Sequence, residues 1–179
     1  MEKFYEMEIA GLKRKLPICP IGDGVYIAGF IMFSDVEITK KTAEELLKKA
    51  PDFDVLMTAE TKGLPLCYEM ARQSGKNYVL ARKGKKLYMQ NPIEVTVKTI
   101  TTDHEQKLFL SESDCELLKG KRVLLVDDVI STGESMKALS ALLEKAGGIK
   151  AGMAAVLAEG DAMKRSDIIF LEPLPLFFE

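Results

Sequence analysis

Short apolar runs and amphipathic stretches succeed one another along most of this chain. Val25–Phe33, Phe53–Thr58, Tyr78–Ala81, Val123–Val126 and Ile149–Leu157 are rich in β-formers and lack a polar face, as strands covered on both sides do. Between them, Thr39–Ala50, Leu64–Gln73 and Met136–Ala146 read as helices. In the first of these, Thr42 and Glu45 fit a capping box, Leu46 and Leu47 a buried face, and Pro51 a stop. Repeated strand–loop–helix units imply right-handed crossovers and a mostly parallel α/β sheet flanked by helices.

Two regions break that rhythm. Residues 1–24 carry Pro17, Pro20, Gly22 and Gly24 and read as irregular or short edge strands, a cap outside the wound sheet. From Leu87 to Leu110 the chain alternates over 94–100 and 107–110, the pattern of an antiparallel hairpin turning through 101–106, and Ser111–Leu118 follows as a short helix. A long ribbon of this kind usually serves as a functional lid. The end of the chain adds a strand at Ile168–Leu171 and an apolar tail. The expected organisation is one domain over 1–179, with 1–40 and 158–179 forming a small hood and 84–110 a flexible ribbon.

Composition narrows the partners. With 179 residues and a net charge of −2, the chain has room for one core and no general field for polyanions, so nucleic acid is not expected as a partner. Three widely spaced cysteines form no C-x-x-C pair and fit a reduced compartment. No segment reads as a signal peptide or a membrane span, so a cytoplasmic protein is expected.

The chemistry concentrates at Val123–Ser135, where an apolar strand runs into Asp127-Asp128 and then Ser131-Thr132-Gly133-Glu134-Ser135 opens a helix. Adjacent carboxylates repel each other and need a cation or several donors nearby, which a ribose diol supplies. The small-residue turn offers backbone N–H groups and hydroxyls to a phosphate at the positive end of a helix. A strand end and an ordinary helix cap would each explain part of this, but the full order is more specific. It resembles the phosphoribosyl-pyrophosphate (PRPP) motif of the type I phosphoribosyltransferases.

That resemblance implies the rest of the site. Asp127 and Asp128 would bind the ribose hydroxyls, and Ser131, Thr132, Gly133, Glu134 and Ser135 the 5-phosphate. Glu60, Thr61, Lys62 and Gly63 occupy the place of the family's pyrophosphate loop, and Arg82-Lys83 that of its basic pair. Asp127, Asp128, Arg82 and Lys83 are the catalytic set. The 87–110 ribbon stands where the family has a closing loop, from which Lys98, Glu105 or Lys107 could reach the site on closure, and the lone His104 at its tip is read as incidental. The base would lie beneath the hood near Phe30 or Phe33, with Glu159 accepting from an exocyclic amine. Mg²⁺ would arrive with PRPP, held by its oxygens and through water by Asp127. The implied activity is purine phosphoribosyl transfer with release of pyrophosphate, adenine favoured. The alternatives are a xanthine phosphoribosyltransferase or a non-catalytic PRPP-sensing regulator, with orotate a weaker candidate. A homodimer is implied, joined through Leu64–Gln73 and 82–90.

Overall fold

The computed structural model describes residues 3–98 and 105–178. Its elements are β1 (Phe4–Ile9), β2 (Leu12–Gly22), β3 (Val25–Ala28), α1 (Val36–Lys49), β4 (Val55–Ala59), α2 (Leu64–Ser74), β5 (Asn77–Ala81), β6 (Ile93–Lys98) and β7 (Glu105–Leu110), continuing with α3 (Glu112–Leu118), β8 (Arg122–Ile130), α4 (Glu134–Lys145), β9 (Ile149–Glu159), a 3-10 turn (Gly160–Lys164), β10 (Ile169–Leu174) and β11 (Leu176–Phe178). Five strands form a parallel sheet in the order β10-β9-β8-β4-β5.

The unbroken apolar runs are explained by that sheet's two covered faces. Val55, Met57, Val123 and Leu125 pack with Met136, Leu139 and Leu143 of α4. Their neighbours Leu56, Leu124 and Val126 pack instead with Ile38 and Leu46 of α1 and with Leu66 and Met70 of α2. Successive side chains point to opposite faces, so neither face could be polar.

Several sequence boundaries need correction. Helix α1 begins at Val36, where Asp35 caps it by accepting the Ile38 N–H at 3.0 Å. Thr42, read as a cap, lies buried inside the helix with its hydroxyl on the Ile38 carbonyl at 2.7 Å. Residues 4–22 form two regular strands, with β1 and β2 paired antiparallel from Ile9–Leu12 to Phe4–Pro17. The prolines misled because they stand where a missing donor is tolerated, Pro17 at the end of the ladder and Pro20 beside a register shift. Strand β3 stops at Ala28 and belongs to this second, antiparallel sheet, which β11 completes through Leu176–Ile27. The chain's two ends therefore share the hood, while β10 joins the main sheet.

The ribbon is anchored at its base. Leu108 and Leu110 are fully buried, and Lys145 of α4 donates to the Glu94 carbonyl at 2.9 Å. Arg82 and Phe109 exchange both backbone hydrogen bonds, at 3.0 and 2.8 Å, fastening β7 to the end of β5.

Candidate active site

The strand order locates the site. Connections run from β4 outward to β5 on one side and from β8 through β9 to β10 on the other, so the direction reverses between β4 and β8. Ligands in open α/β sheets bind beyond the carboxyl ends of the strands at such a reversal. Here β8 pairs with β4 only as far as Leu125, yet with β9 as far as Ile130. Asp127 and Asp128, expected at the end of the apolar strand, lie within β8, which continues to Ile130, and the gap opens on the β4 side.

Gly63 fills that gap. As the N-cap of α2 it sits so close to β8 that a Cβ would meet Thr58 Oγ1 at 2.7 Å and the Asp127 Cα at 2.9 Å. Its φ is an ordinary −76°, so the requirement is for space alone. Gly133, the N-cap of α4, is required by its backbone, whose φ is +79°; a Cβ there would also stand 2.5 Å from Arg165 Nη1, the movable tip of a long side chain.

A cavity of about 460 Å³ occupies the opening. Its walls include Glu60, Thr61 and Lys62 after β4, Lys83 after β5, Asp127, Asp128, Ser131 and Ser135 after and within β8, and Glu159 at the end of β9. The structure thus gathers nine of the expected residues from four separate strand ends. Gly63 lies beneath them. Thr132, Gly133 and Glu134 are not on the wall; they turn the loop, with the Glu134 N–H donating to Thr132 Oγ1 at 3.4 Å.

Two expectations shift. Phe33 is 45% exposed and outside the cavity, whereas Phe30, buried at 6%, lines it with Ile27 and Ile31. The chain turns at Ser34 soon after the hood strand, which carries Phe33 off the wall. Arg82 also stays off the wall, ion-paired with Glu60 and donating to the Tyr88 hydroxyl at 2.7 Å. Glu60 accepts the Lys83 N–H at 2.8 Å as well, so its carboxylate braces one loop against the other.

The electrostatics are uneven. Burial, then the neighbouring Asp128, pushes the Asp127 carboxyl well above the usual carboxylate range. Its Oδ1 accepts the Asp128 N–H at 2.9 Å, and Asp128 Oδ1 accepts the Val129 N–H at 2.9 Å. Burial raises Glu159 also. For Glu60, burial opposes ionisation, but the Lys83 N–H and Arg82 outweigh it and hold the group below its ordinary value. An Asp127 carboxyl that resists ionisation until donors or a cation arrive is suited to a hydroxylated, metal-carrying anion.

Sequence reasoning missed Gln106, which lines the cavity from β7, and Arg165, which leans on Gly133 while its Nε and Nη2 hold Asp167 at 2.8 and 2.7 Å. Gln106 was detectable from strand alternation with Leu108 and Leu110; Arg165 carried no local signal. His104 lies outside the described residues.

Comparison with known proteins agrees with this geometry. Residues 35–173 match the family model described as the phosphoribosyl transferase domain. The hypoxanthine/guanine phosphoribosyltransferase of Methanocella paludicola is 34% identical over 148 residues, covering 82% of this chain and 71% of that protein. The adenine phosphoribosyltransferase of Bifidobacterium longum is 32% identical over 154 residues, covering 83% and 77%. Among solved structures, adenine phosphoribosyltransferase from Thermoanaerobacter pseudethanolicus superposes with a TM-score of 0.67 at 23% identity, covering 96% of this chain and 95% of that one. The Rhodothermus marinus enzyme of the same name gives 0.68 at 20%, covering 96% and 94%.

Proposed function

The chain belongs to the phosphoribosyl transferase domain family, and from that premise we propose that it transfers ribose 5-phosphate from PRPP to a purine base, adenine first, releasing pyrophosphate. The observation that carries this reading is the convergence of Asp127, Asp128, Ser131 and Ser135 with Thr61, Lys62 and Lys83 around one cavity at the reversal of the sheet. Asp127 and Asp128 accept from the two ribose hydroxyls, and the turn from Ser131 to Ser135 donates to the 5-phosphate. Thr61, Lys62 and Lys83 surround the pyrophosphate. A purine ring nitrogen forms the new bond to the anomeric carbon as the bond to pyrophosphate oxygen breaks, and the base loses its ring proton.

These residues work by orientation and by stabilising charge where it develops. Lys62 and Lys83 meet the departing negative charge, and the hood segment from Ile27 to Ile31 excludes water from the reacting carbon. Mg²⁺, which the family implies, would be held by the oxygens of PRPP, and Asp127, on the cavity wall, would reach it through water. When bound, Mg²⁺ neutralises pyrophosphate charge.

Adenine is favoured by Glu159. Its burial-raised carboxyl lines the cavity, where it can accept from an exocyclic amine beside the apolar wall of Phe30 and Ile31. Pairing of two chains is supported by the aromatic surface of α2 and the β5 edge, where Tyr68 and Tyr78 stack edge-on at 6.2 Å and Leu87 and Tyr88 are exposed. Three free cysteines and phosphorylated substrates suit the cytoplasm.

The test is pyrophosphate release from PRPP and Mg²⁺ with adenine, hypoxanthine, guanine and xanthine offered separately. Turnover with adenine, lost in Asp128→Asn, is expected. PRPP binding without turnover on any base would refute the transferase reading in favour of a regulator.

A further inference from the structure

We propose that Gln106 is the residue through which the ribbon touches substrate, its side-chain amide donating to the pyrophosphate half of PRPP. The inference rests on the transferase reading and adds to it a residue from outside the PRPP motif.

Strand parity makes the first argument. Leu108 and Leu110 of β7 are fully buried in the core beside α4, and their face of the ribbon is fixed by pairing with Val95 and Ile93. Gln106, opposite Val97, is the next residue of that row toward the tip, so the row passes from packed core to cavity wall at Gln106. Glu105 and Lys107 stand on the opposite parity and both are exposed. Of the described residues of β7, the two that carry charge are therefore the ones turned away, and the neutral amide is turned in.

The second argument is position. The antiparallel bridge between Arg82 and Phe109 runs β7 back along the segment after β5, so that moving from Phe109 to Gln106 follows Arg82 toward Lys83 and beyond. Gln106 accordingly shares the cavity wall with Lys83, Thr61 and Lys62, the residues assigned to pyrophosphate. Its side-chain amide has no hydrogen-bond partner among the described residues. Two N–H donors held there strengthen as charge accumulates on the leaving oxygens, and they add no charge that a neighbouring lysine would oppose.

The test compares Gln106→Ala, Gln106→Leu and Gln106→Glu with the unaltered protein, with Thr96→Ala, at the exposed β6 position opposite Lys107, as the opposite-face control. Turnover is measured alongside direct binding of Mg²⁺-pyrophosphate and of ribose 5-phosphate by calorimetry. The Ala and Leu variants should lose about tenfold to a hundredfold in kcat/KM. They should bind pyrophosphate more weakly and ribose 5-phosphate unchanged; the Glu variant should lose most, and Thr96→Ala nothing. Full pyrophosphate affinity in Gln106→Leu would show that the side chain only packs, and an equal loss for both ligands would show a general distortion; either overturns the proposal. If the unaltered protein turns over no purine, the transferase reading fails, and the pyrophosphate titration still decides the role of Gln106.

Discussion

Replacing Asp127 by Asn should make the unliganded protein more stable at neutral pH while destroying its hold on PRPP. Burial and then the Asp128 carboxylate oppose ionisation of Asp127, and the Asp128 N–H and, after it, Lys83 offset them only in part. Asparagine keeps an acceptor for the Asp128 N–H, bonded at 2.9 Å in the parent, and removes the charge. Relieving one poorly paired, partly buried carboxylate is worth about 1–3 kcal/mol. On a domain of this size that corresponds to a rise in Tm of roughly 3–10 °C.

The pH dependence has a definite sign. In the unfolded chain an aspartate ionises near pH 4, whereas the folded protein retains the proton of Asp127 to higher pH. The folded state therefore binds more protons across that interval, and this group makes the parent less stable as pH rises through it. The advantage of Asp127→Asn should be absent near pH 4, grow toward neutrality, and level off once the folded-state carboxyl has ionised. Thermal unfolding of both proteins in buffers from about pH 4 to 9, with PRPP calorimetry at pH near 7.5, tests this. A variant less stable than the parent above neutrality, or a difference that ignores pH, would refute the electrostatic argument. The other shifted carboxylates are common to both proteins and cancel from the difference.

Further outcomes follow from the same geometry. Gly63→Ala must displace Thr58 or Asp127, so it should cost about 1–3 kcal/mol of stability and weaken PRPP binding at least tenfold, read by melting and calorimetry; Gly84→Ala, with nothing within 4 Å of its Cβ, is the neutral comparison. Glu60→Ala frees Arg82 and leaves the Lys83 N–H without its acceptor, and should raise the KM for PRPP about tenfold with little change in Tm. Gly133→Ala meets Arg165 Nη1 at 2.5 Å and a φ of +79°, and should weaken ribose 5-phosphate binding; adding Arg165→Ala should recover only the part due to the clash.

The order Asp127-Asp128 through Ser135, and the covered strands around it, were legible in the sequence because each is local. A strand buried on both faces must be apolar throughout, and a phosphate turn must carry small residues and open a helix. The cap of α1 was misread for the same local reason: Thr42 and Glu45 fit a capping pattern, but burial of Thr42 decided against it. The hood strands were obscured by Pro17 and Pro20, whose tolerance depends on which ladder position each occupies. Only the tertiary structure could decide matters that join distant segments. It ended the β4–β8 ladder at Leu125, required Gly63 for room beside Asp127, gave the Glu60 carboxylate to Arg82, and put Phe30 on the cavity wall in place of Phe33. Gln106 lay between the two: its parity was written in the sequence, but the cavity it faces exists only because four strand ends, the hood and a ribbon meet there.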